Sequence, residues 1–332
     1  MEDKPIAVDP NPHLLTDDYD LDDWQSETTS IQSSIYKGLI ENGRRYQSLR
    51  SSEYHVPSDD QQFEAYEAGH IVAMIMDAHQ RNPLFQAPIG PSPKGKERGP
   101  LTLQTGSPMQ PSMVWICSPP PVNWMPPNCI LEVDDILQEW TWREPFDLVH
   151  LRILDSAFTP EETDRLYKQC YDHIRPGGWI EQFELSPYIE CDDDSLPADN
   201  IVRGWGPRFE RAAEKSGRPL MIMNTFHESI QKAGFVDVHT KDYKWPIGPW
   251  PRDRQLKEAG LVNFHHWMGG MEGYGLWLLT KFGDPVPWSN EEVQVYVAKV
   301  RREIANPRFH IYERAKRIWA RKPFPDETRM ST

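Results

Sequence analysis

The chain has 332 residues, of which 38% are hydrophobic and 26% are charged, and its formal net charge is −14. This length and composition are typical of a globular protein with a substantial core. The acidic balance and the lack of long basic runs argue against nucleic acid as a partner, whereas a basic protein partner is compatible with the charge.

The cysteines and the apolar runs argue against a metal-binding, disulfide-stabilised, membrane or secreted protein. The four cysteines (Cys117, Cys129, Cys170 and Cys191) form no CxxC pair and have no histidine at metal spacing, so we expect neither a metal site nor a disulfide framework. No apolar run approaches the roughly 18 residues of a membrane span, and the acidic start is unlike a signal peptide. We therefore expect a cytoplasmic or nuclear protein that is not secreted and has no membrane partner.

The chain divides into four predicted regions. Residues 1–27 are polar and acidic, which predicts a disordered leader. Residues 28–90 predict a helical cap, with one helix pattern between Thr28 and Tyr46 that ends in a turn at "ENGRRY". A clearer amphipathic helix covers "QQFEAYEAGHIVAMIMDAH" and ends before Asn82-Pro83. Residues 91–250 predict an α/β core, and residues 251–332 predict a helical region, which the family resemblance described below places on the substrate side.

The core alternates strand and helix patterns. "CILEVDD", "FDLVHLRIL", "RPGGWIEQFEL" and "GFVDVHTKDYKWP" read as strands, and "PEETDRLYKQCYDHI" reads as an amphipathic helix. Such alternation is typical of a doubly wound α/β fold with a mostly parallel sheet and helices on both faces. We expect helical additions at the N-terminus and in the C-terminal third.

An ordered set of segments carries a family resemblance. "SIYKGLIENGRRYQ", "WMPPNCILEVDDILQEWTW", "FDLVHLRIL", "IRPGGWIEQFEL" and "PIGPWPRDRQLKEAGL" occur in the order found in fungal LaeA-like methyltransferases. These resemble class I S-adenosylmethionine-dependent enzymes with a Rossmann-type fold. The resemblance, over roughly residues 28–320, implies methyl transfer from S-adenosylmethionine to a small-molecule metabolite of fungal secondary metabolism.

The resemblance also implies a cofactor site. In open parallel sheets ligands bind at the carboxyl ends of strands, where Asp134, Asp135 and His150 are expected. By resemblance, Asp135 would accept a hydrogen bond from the adenine amino group and Ile136 would contact the ring. The alternative is that both acids cap the following helix.

The N-terminal segment resembles the lid that relatives place over the cofactor. Tyr36, Arg45 and Tyr46 fall in this segment. The resemblance therefore implies that these side chains contribute to cofactor binding. The alternative is that they pack on the surface around a helix terminus.

The cofactor loop of the family is shortened in this chain. Relatives have a glycine-rich loop after the first strand, whereas here "LQTGSP" retains only Gly106, with Gln104 in place of an acid. Cys117 falls near the position of the ribose-binding acid. Either the chain is a degenerate homologue or a segment was wrongly removed from the gene model. We expect residues 104–116 to form an irregular loop without a full helix, and we expect weak binding of S-adenosylmethionine.

The catalytic base is not identified by any motif. His265 and His266 are weak candidates because imidazole titrates near neutral pH, and adjacent helical residues do not share a face. Packed or surface histidines are the commoner case. Two further functions stay open, namely a non-catalytic regulator or scaffold with a protein partner, and a non-methylating isomerase or cyclase.

Overall fold

The computed structural model describes residue 6 and residues 37–49, 54–80, 82–89, 112–116 and 129–328. The predicted leader apart from residue 6, Tyr36, Gly106 and the loop residues 104–111 lie outside the described residues. The elements in chain order are β1 (Leu39–Glu41), β2 (Arg44–Tyr46), α1 (Asp60–Met76), β3 (Ser112–Ile116), β4 (Cys129–Val133), β5 (Phe146–Arg152), α2 (Pro160–His173), β6 (Ile174–Cys191), α3 (Trp205–Ser216), α4 (Phe226–Lys232), β7 (Val236–Pro246), α5 (Arg254–Phe282), α6 (Asn290–Ile304), β8 (Ile311–Arg321) and α7 (Pro325–Thr328).

The central sheet is mixed and has the strand order β5-β6-β8-β7. β5 and β6 are parallel, whereas β8 runs antiparallel to both β6 and β7. β3 and β4 form a separate parallel pair. The predicted α/β class is confirmed. The central sheet contains more antiparallel pairing than we expected, because β8 lies between β6 and β7 and runs antiparallel to both.

Strand β8 was not predicted, and the C-terminal region is not helical throughout. Its sequence carries Glu313, Arg314, Lys316 and Arg317, which masks the apolar alternation of a strand. Glu313 and Arg317 are nevertheless buried, because each has polar partners inside the fold. The sequence did not predict β8 because charged side chains occupy buried positions of this strand, where apolar residues are expected.

The predicted helix pattern between Thr28 and Tyr46 is wrong for its second half. β1 and β2 form an antiparallel hairpin in which Leu39 pairs with Tyr46 and Glu41 pairs with Arg44. The turn residues Asn42 and Gly43 have φ angles of 52° and 79°. Asn-Gly is the preferred pair for such a two-residue hairpin turn, because both positions need positive φ.

The predicted irregular loop over residues 104–116 is wrong for its last five residues. Ser112–Ile116 form β3, paired in register from Ser112 with Cys129 to Ile116 with Val133. Pro111 comes directly before the first strand residue, which is a position where proline does not remove a ladder hydrogen bond.

Helices cover both faces of the sheet. α2 begins with a capping box between Thr159 and Glu162, and its buried residues pack with α4 against β5, β6 and β8. On the opposite face, α1 contributes Val72 and Ala73 to a cluster with Phe183 and Trp245. α1, which begins at N-cap Asp59, confirms the clearer predicted cap helix. The long helix α5 packs along α1, and together they roof the carboxyl end of β5 and the irregular middle of β6.

Within the part of the chain that the structure describes, no helix is long and apolar enough to cross a membrane. The described residues also contain no group of three or more histidine, cysteine or acidic side chains that could hold a metal ion.

Candidate functional site

A pocket lies at the carboxyl end of β5 and beside the irregular middle of β6, beneath α1 and α5. Its space between atoms is about 610 Å³, including the open mouth. The side chains that line it are mainly apolar and aromatic, with a few polar groups between them: Val56, Gln62, Tyr66, Ile153, Asp155, Leu185, Ser186, Pro187, Trp205, His266, Trp267, Gly270, Met271, Tyr274 and Glu313.

Asp155 follows β5 and faces the pocket from the sheet side. Its Oδ2 accepts a hydrogen bond of 3.1 Å from the Tyr274 hydroxyl on α5. Burial raises the pKa of Asp155 to about 6. The neighbouring Glu184 accepts a hydrogen bond from the Leu154 backbone N–H. Its pKa is raised to about 8, mainly by burial and additionally by the negative charge of Asp155.

Glu313 is the second carboxyl group on the pocket wall, and it comes from β8. Its Oε1 accepts a hydrogen bond of 2.9 Å from the Trp267 indole Nε1. Burial raises the pKa of Glu313 to about 7. Among the described residues, neither Glu313 nor Asp155 has a lysine, arginine or histidine within salt-bridge distance. The pocket therefore holds two buried carboxyl groups without a cation.

The structure separates the two candidate histidines. His265 is exposed, whereas His266 lines the pocket. The His266 Nδ1 lies 2.6 Å from the Ala65 carbonyl oxygen, which can only accept, so Nδ1 carries the proton. Burial lowers the pKa of His266, which keeps the ring neutral. Nε2 consequently keeps a lone pair that can accept a proton from a ligand.

Two buried polar side chains next to the pocket lack partners among the described residues. Gln62 is 3% exposed, lines the pocket and has no donor for its Oε1. His55 is buried with neither ring nitrogen hydrogen-bonded, and its ring stands edge-on to Tyr274 at a centroid distance of 5.2 Å. Burial lowers the pKa of His55 to about 3, so the ring is neutral. A buried polar group without a partner calls for an explanation, and an ordered water is one of them.

The residues predicted to hold adenine lie in a turn after β4. Asp134 is exposed, and Asp135 is half-buried. Asp135 Oδ1 accepts from the Leu137 backbone N–H at 3.1 Å. The predicted alternative of helix capping does not apply, because a turn and not a helix follows. The Ile136 side chain packs beside the core cluster that includes Phe158, and its role toward adenine stays a prediction.

His150 does not line the pocket. It is nearly buried on β5, where its Nδ1 lies 3.5 Å from Glu181 Oε1 and its ring stands edge-on to Phe85. Tyr46 is buried on β2, and its hydroxyl has no partner among the described residues. Arg45 donates from Nη2 to the Ser58 carbonyl at 2.6 Å, which ties the hairpin to the loop before α1.

Sequence reasoning missed four groups that the structure brings together, namely Gln62, Asp155, Tyr274 and Glu313. Asp155 had a usable signal, because it follows the end of a predicted strand by three residues. Glu313 had none, since its strand was not predicted. Gln62 and Tyr274 lie on two helices that only the tertiary packing places together.

A mixed α/β sheet with an aromatic pocket beyond the end of a parallel strand is typical of α/β proteins that bind small molecules. No protein-family model matches the sequence. The methyltransferase pytC of Aspergillus terreus is 30% identical over 91% of this chain and 93% of its own length. The probable methyltransferase tdiE of Emericella nidulans is 31% identical over 59% of this chain and 60% of its own length. The secondary metabolism regulator LAE1 of Cochliobolus heterostrophus is 29% identical over 88% of this chain and 96% of its own length. The chain belongs to the fungal LaeA-like methyltransferase family.

Proposed function

We propose that the protein transfers a methyl group from S-adenosylmethionine to a nucleophilic atom of a small-molecule metabolite in fungal secondary metabolism. The observation that carries the proposal is His266, which lines an aromatic pocket and keeps its Nε2 unprotonated, in a chain of the methyltransferase family. A neutral imidazole in this position can accept the proton that an attacking hydroxyl or amine must lose.

The described residues fit the cofactor in two respects. Arg44 pairs through Nε and Nη2 with Asp59, but its buried Nη1 has no acceptor. His55 likewise has a buried N–H without an acceptor, and both would suit the methionine carboxylate. Asp135 and Ile136 would hold the adenine. When bound, S-adenosylmethionine supplies an electrophilic methyl group on its sulfonium.

The chain's own residues would then act mainly by positioning. Trp205, Trp267 and Tyr66 wall the pocket, which would hold the metabolite and limit the access of water. The hydrogen bond from His266 Nδ1 to Ala65 fixes the ring, so that Nε2 is directed to one place. The proton removed from the nucleophile would therefore rest on Nε2.

Calorimetry with S-adenosylmethionine and the purified chain tests the cofactor step. Only Gly106 remains of the glycine loop, and each lost hydrogen bond to a charged group costs about 1.5–3 kcal/mol. Two such losses weaken a micromolar site by about a hundredfold or more, so we expect a dissociation constant on the order of millimolar. A low micromolar constant would mean that other contacts replace the loop.

Transfer of a labelled methyl group to a panel of small metabolites tests the reaction itself. Product formation that requires both the cofactor and the metabolite is the expected result. Failure to bind S-adenosylmethionine even at about 10 mM, roughly ten times the expected constant, would overturn the proposal. That outcome would favour the regulator role that the name of the LAE1 relative describes.

A further inference from the structure

The two acidic side chains of the pocket have no cationic side chain beside them among the described residues. Asp155 and Glu313 are buried carboxyl groups whose side-chain partners are neutral: Tyr274 donates to Asp155, and Trp267 and Asn263 donate to Glu313. The charges of both act on the Tyr274 hydroxyl, so a single phenol lies within electrostatic reach of the two groups. Among the described residues, no lysine or arginine lines the pocket.

The two carboxyl groups on the pocket wall indicate which kind of ligand it suits, because an ionised carboxylate accepts hydrogen bonds and attracts a positive charge. An ammonium group carries three donors and one positive charge, and it therefore complements this set.

The pocket walls suit the same kind of ligand. Trp205, Trp267, Tyr66 and Tyr274 present aromatic rings, which bind both flat apolar bodies and cations over their faces. We propose that the acceptor metabolite is an arylalkylamine, an aromatic compound whose alkylammonium group is bound between Asp155 and Glu313. The substrate assignment rests on the proposed methyl transfer, whereas the binding of an ammonium group does not.

The titratable groups around the pocket set the pH dependence. The groups that face Asp155 and Glu313 are Tyr274 and His266 from α5, Tyr66 from α1 and Glu184 from β6; His55 contacts Tyr274. The histidines are neutral because burial lowers their pKa values. An ammonium ligand favours ionised carboxyl groups, whose pKa values burial raises to about 6 for Asp155 and about 7 for Glu313. Binding should therefore release protons and strengthen as the pH rises from about 5.5 to about 8.

Equilibrium binding of two matched probes tests this proposal. Tryptamine and tryptophol share an indole and differ in an ammonium against a hydroxyl group. We expect the intact protein to bind tryptamine at least tenfold more tightly at pH 8, with the difference shrinking at pH 5.5. Equal affinity, tighter binding of tryptophol, or no binding of tryptamine would overturn the proposal, whether or not any variant folds.

Variants of the two acidic residues and competition by S-adenosylhomocysteine, the product formed from the cofactor, show where the ammonium group binds. Asp155→Asn and Glu313→Gln should each reduce the preference for tryptamine by at least fivefold, whereas Glu161→Gln, a change of an exposed acid on α2, should leave it unchanged. S-adenosylhomocysteine also carries an ammonium group. If it excludes tryptamine, the carboxyl groups serve the cofactor and the substrate assignment is overturned. If tryptamine binds selectively but S-adenosylmethionine does not bind, the proposed function fails and the amine site stands.

Discussion

Arg317 donates from Nη1 to Glu181 Oε1 at 2.6 Å, and both side chains are buried in the sheet face beneath the cap. Arg317 Nη2 also lies 3.3 Å from Asp77 at the end of α1. The other oxygen of Glu181 accepts from the backbone N–H groups of Gln86 and Ala87 at 2.9 and 2.7 Å. One buried ion pair between β6 and β8 thus anchors the N-terminal cap to the sheet, and the cap supplies part of the pocket roof.

Arg317→Met should lower the free energy of unfolding by about 3–5 kcal/mol, because it leaves Glu181 buried without its cation. Arg321→Met is the matched control on the same strand. Arg321 pairs with Asp237 and Glu327, whose side chains are about half exposed, so its loss should cost no more than about 1 kcal/mol. Urea denaturation measures both, and similar losses in the two variants would contradict the assignment.

Glu313→Gln should change the pH dependence of stability. The pKa of Glu313 is raised by burial from 4.5 to about 7, so its carboxyl group binds a proton more tightly in the folded protein than in the unfolded chain. The stability that this group contributes is complete below about pH 4.5 and is lost as the pH rises through about 7.

The glutamine variant, which does not titrate, should therefore become more stable relative to the wild type between pH 4.5 and 8. The relative gain should be on the order of 3 kcal/mol, since each pKa unit corresponds to about 1.4 kcal/mol. Urea unfolding of both proteins at several pH values measures it. A relative stability that is flat over this range, or that falls, would show that Glu313 titrates normally.

His266→Gln should reduce the rate of methyl transfer by about 10²–10⁴-fold, because glutamine cannot accept the proton of the nucleophile. His265→Gln should leave the rate unchanged, since His265 is exposed on the same helix. Single-turnover rates with saturating cofactor are the appropriate measurement. Equal rates in the two variants would remove His266 as the base, and thermal melting separates this result from unfolding.

The sequence predicted best those elements whose apolar pattern faces one core. β5 is an almost continuous apolar run, and α2 places Leu166 and Cys170 on one face after a capping box. The β1–β2 hairpin was missed because apolar residues at a helical interval continue up to Leu39, although the Asn42-Gly43 pair was available as a turn signal.

The candidate site was harder to predict because its groups are far apart in the chain. Gln62 and Glu313 meet at the pocket through the packing of α1 and the pairing of β8, and neither has a local signal. His266 could be named from its residue type alone. Its hydrogen bond to Ala65, which fixes the protonated nitrogen, depends on contact between two helices about 200 residues apart.

Gly260→Ala tests the close contact between α5 and the turn after β7. Gly248 donates its backbone N–H to the Gly260 carbonyl at 2.8 Å, and a Cβ added at Gly260 would lie 2.1 Å from the Gly248 carbonyl oxygen. That atom is backbone and cannot rotate away. Alanine normally stabilises a helix interior by about 1 kcal/mol relative to glycine, but here overpacking should outweigh this gain and cost about 1–3 kcal/mol net.

Gly269→Ala is the matched control, two turns and more along the same helix. Its added Cβ would lie 3.6 Å from the Ala65 Cβ, which is an ordinary contact, so this variant should be neutral or more stable by up to about 1 kcal/mol. Urea denaturation should therefore give opposite signs for the two changes. A shift of α5 away from Gly248 would also displace Trp267 and Tyr274 from the pocket wall. We accordingly expect Gly260→Ala, and not Gly269→Ala, to weaken ligand binding, and a stable Gly260→Ala protein with unchanged binding would contradict the close packing.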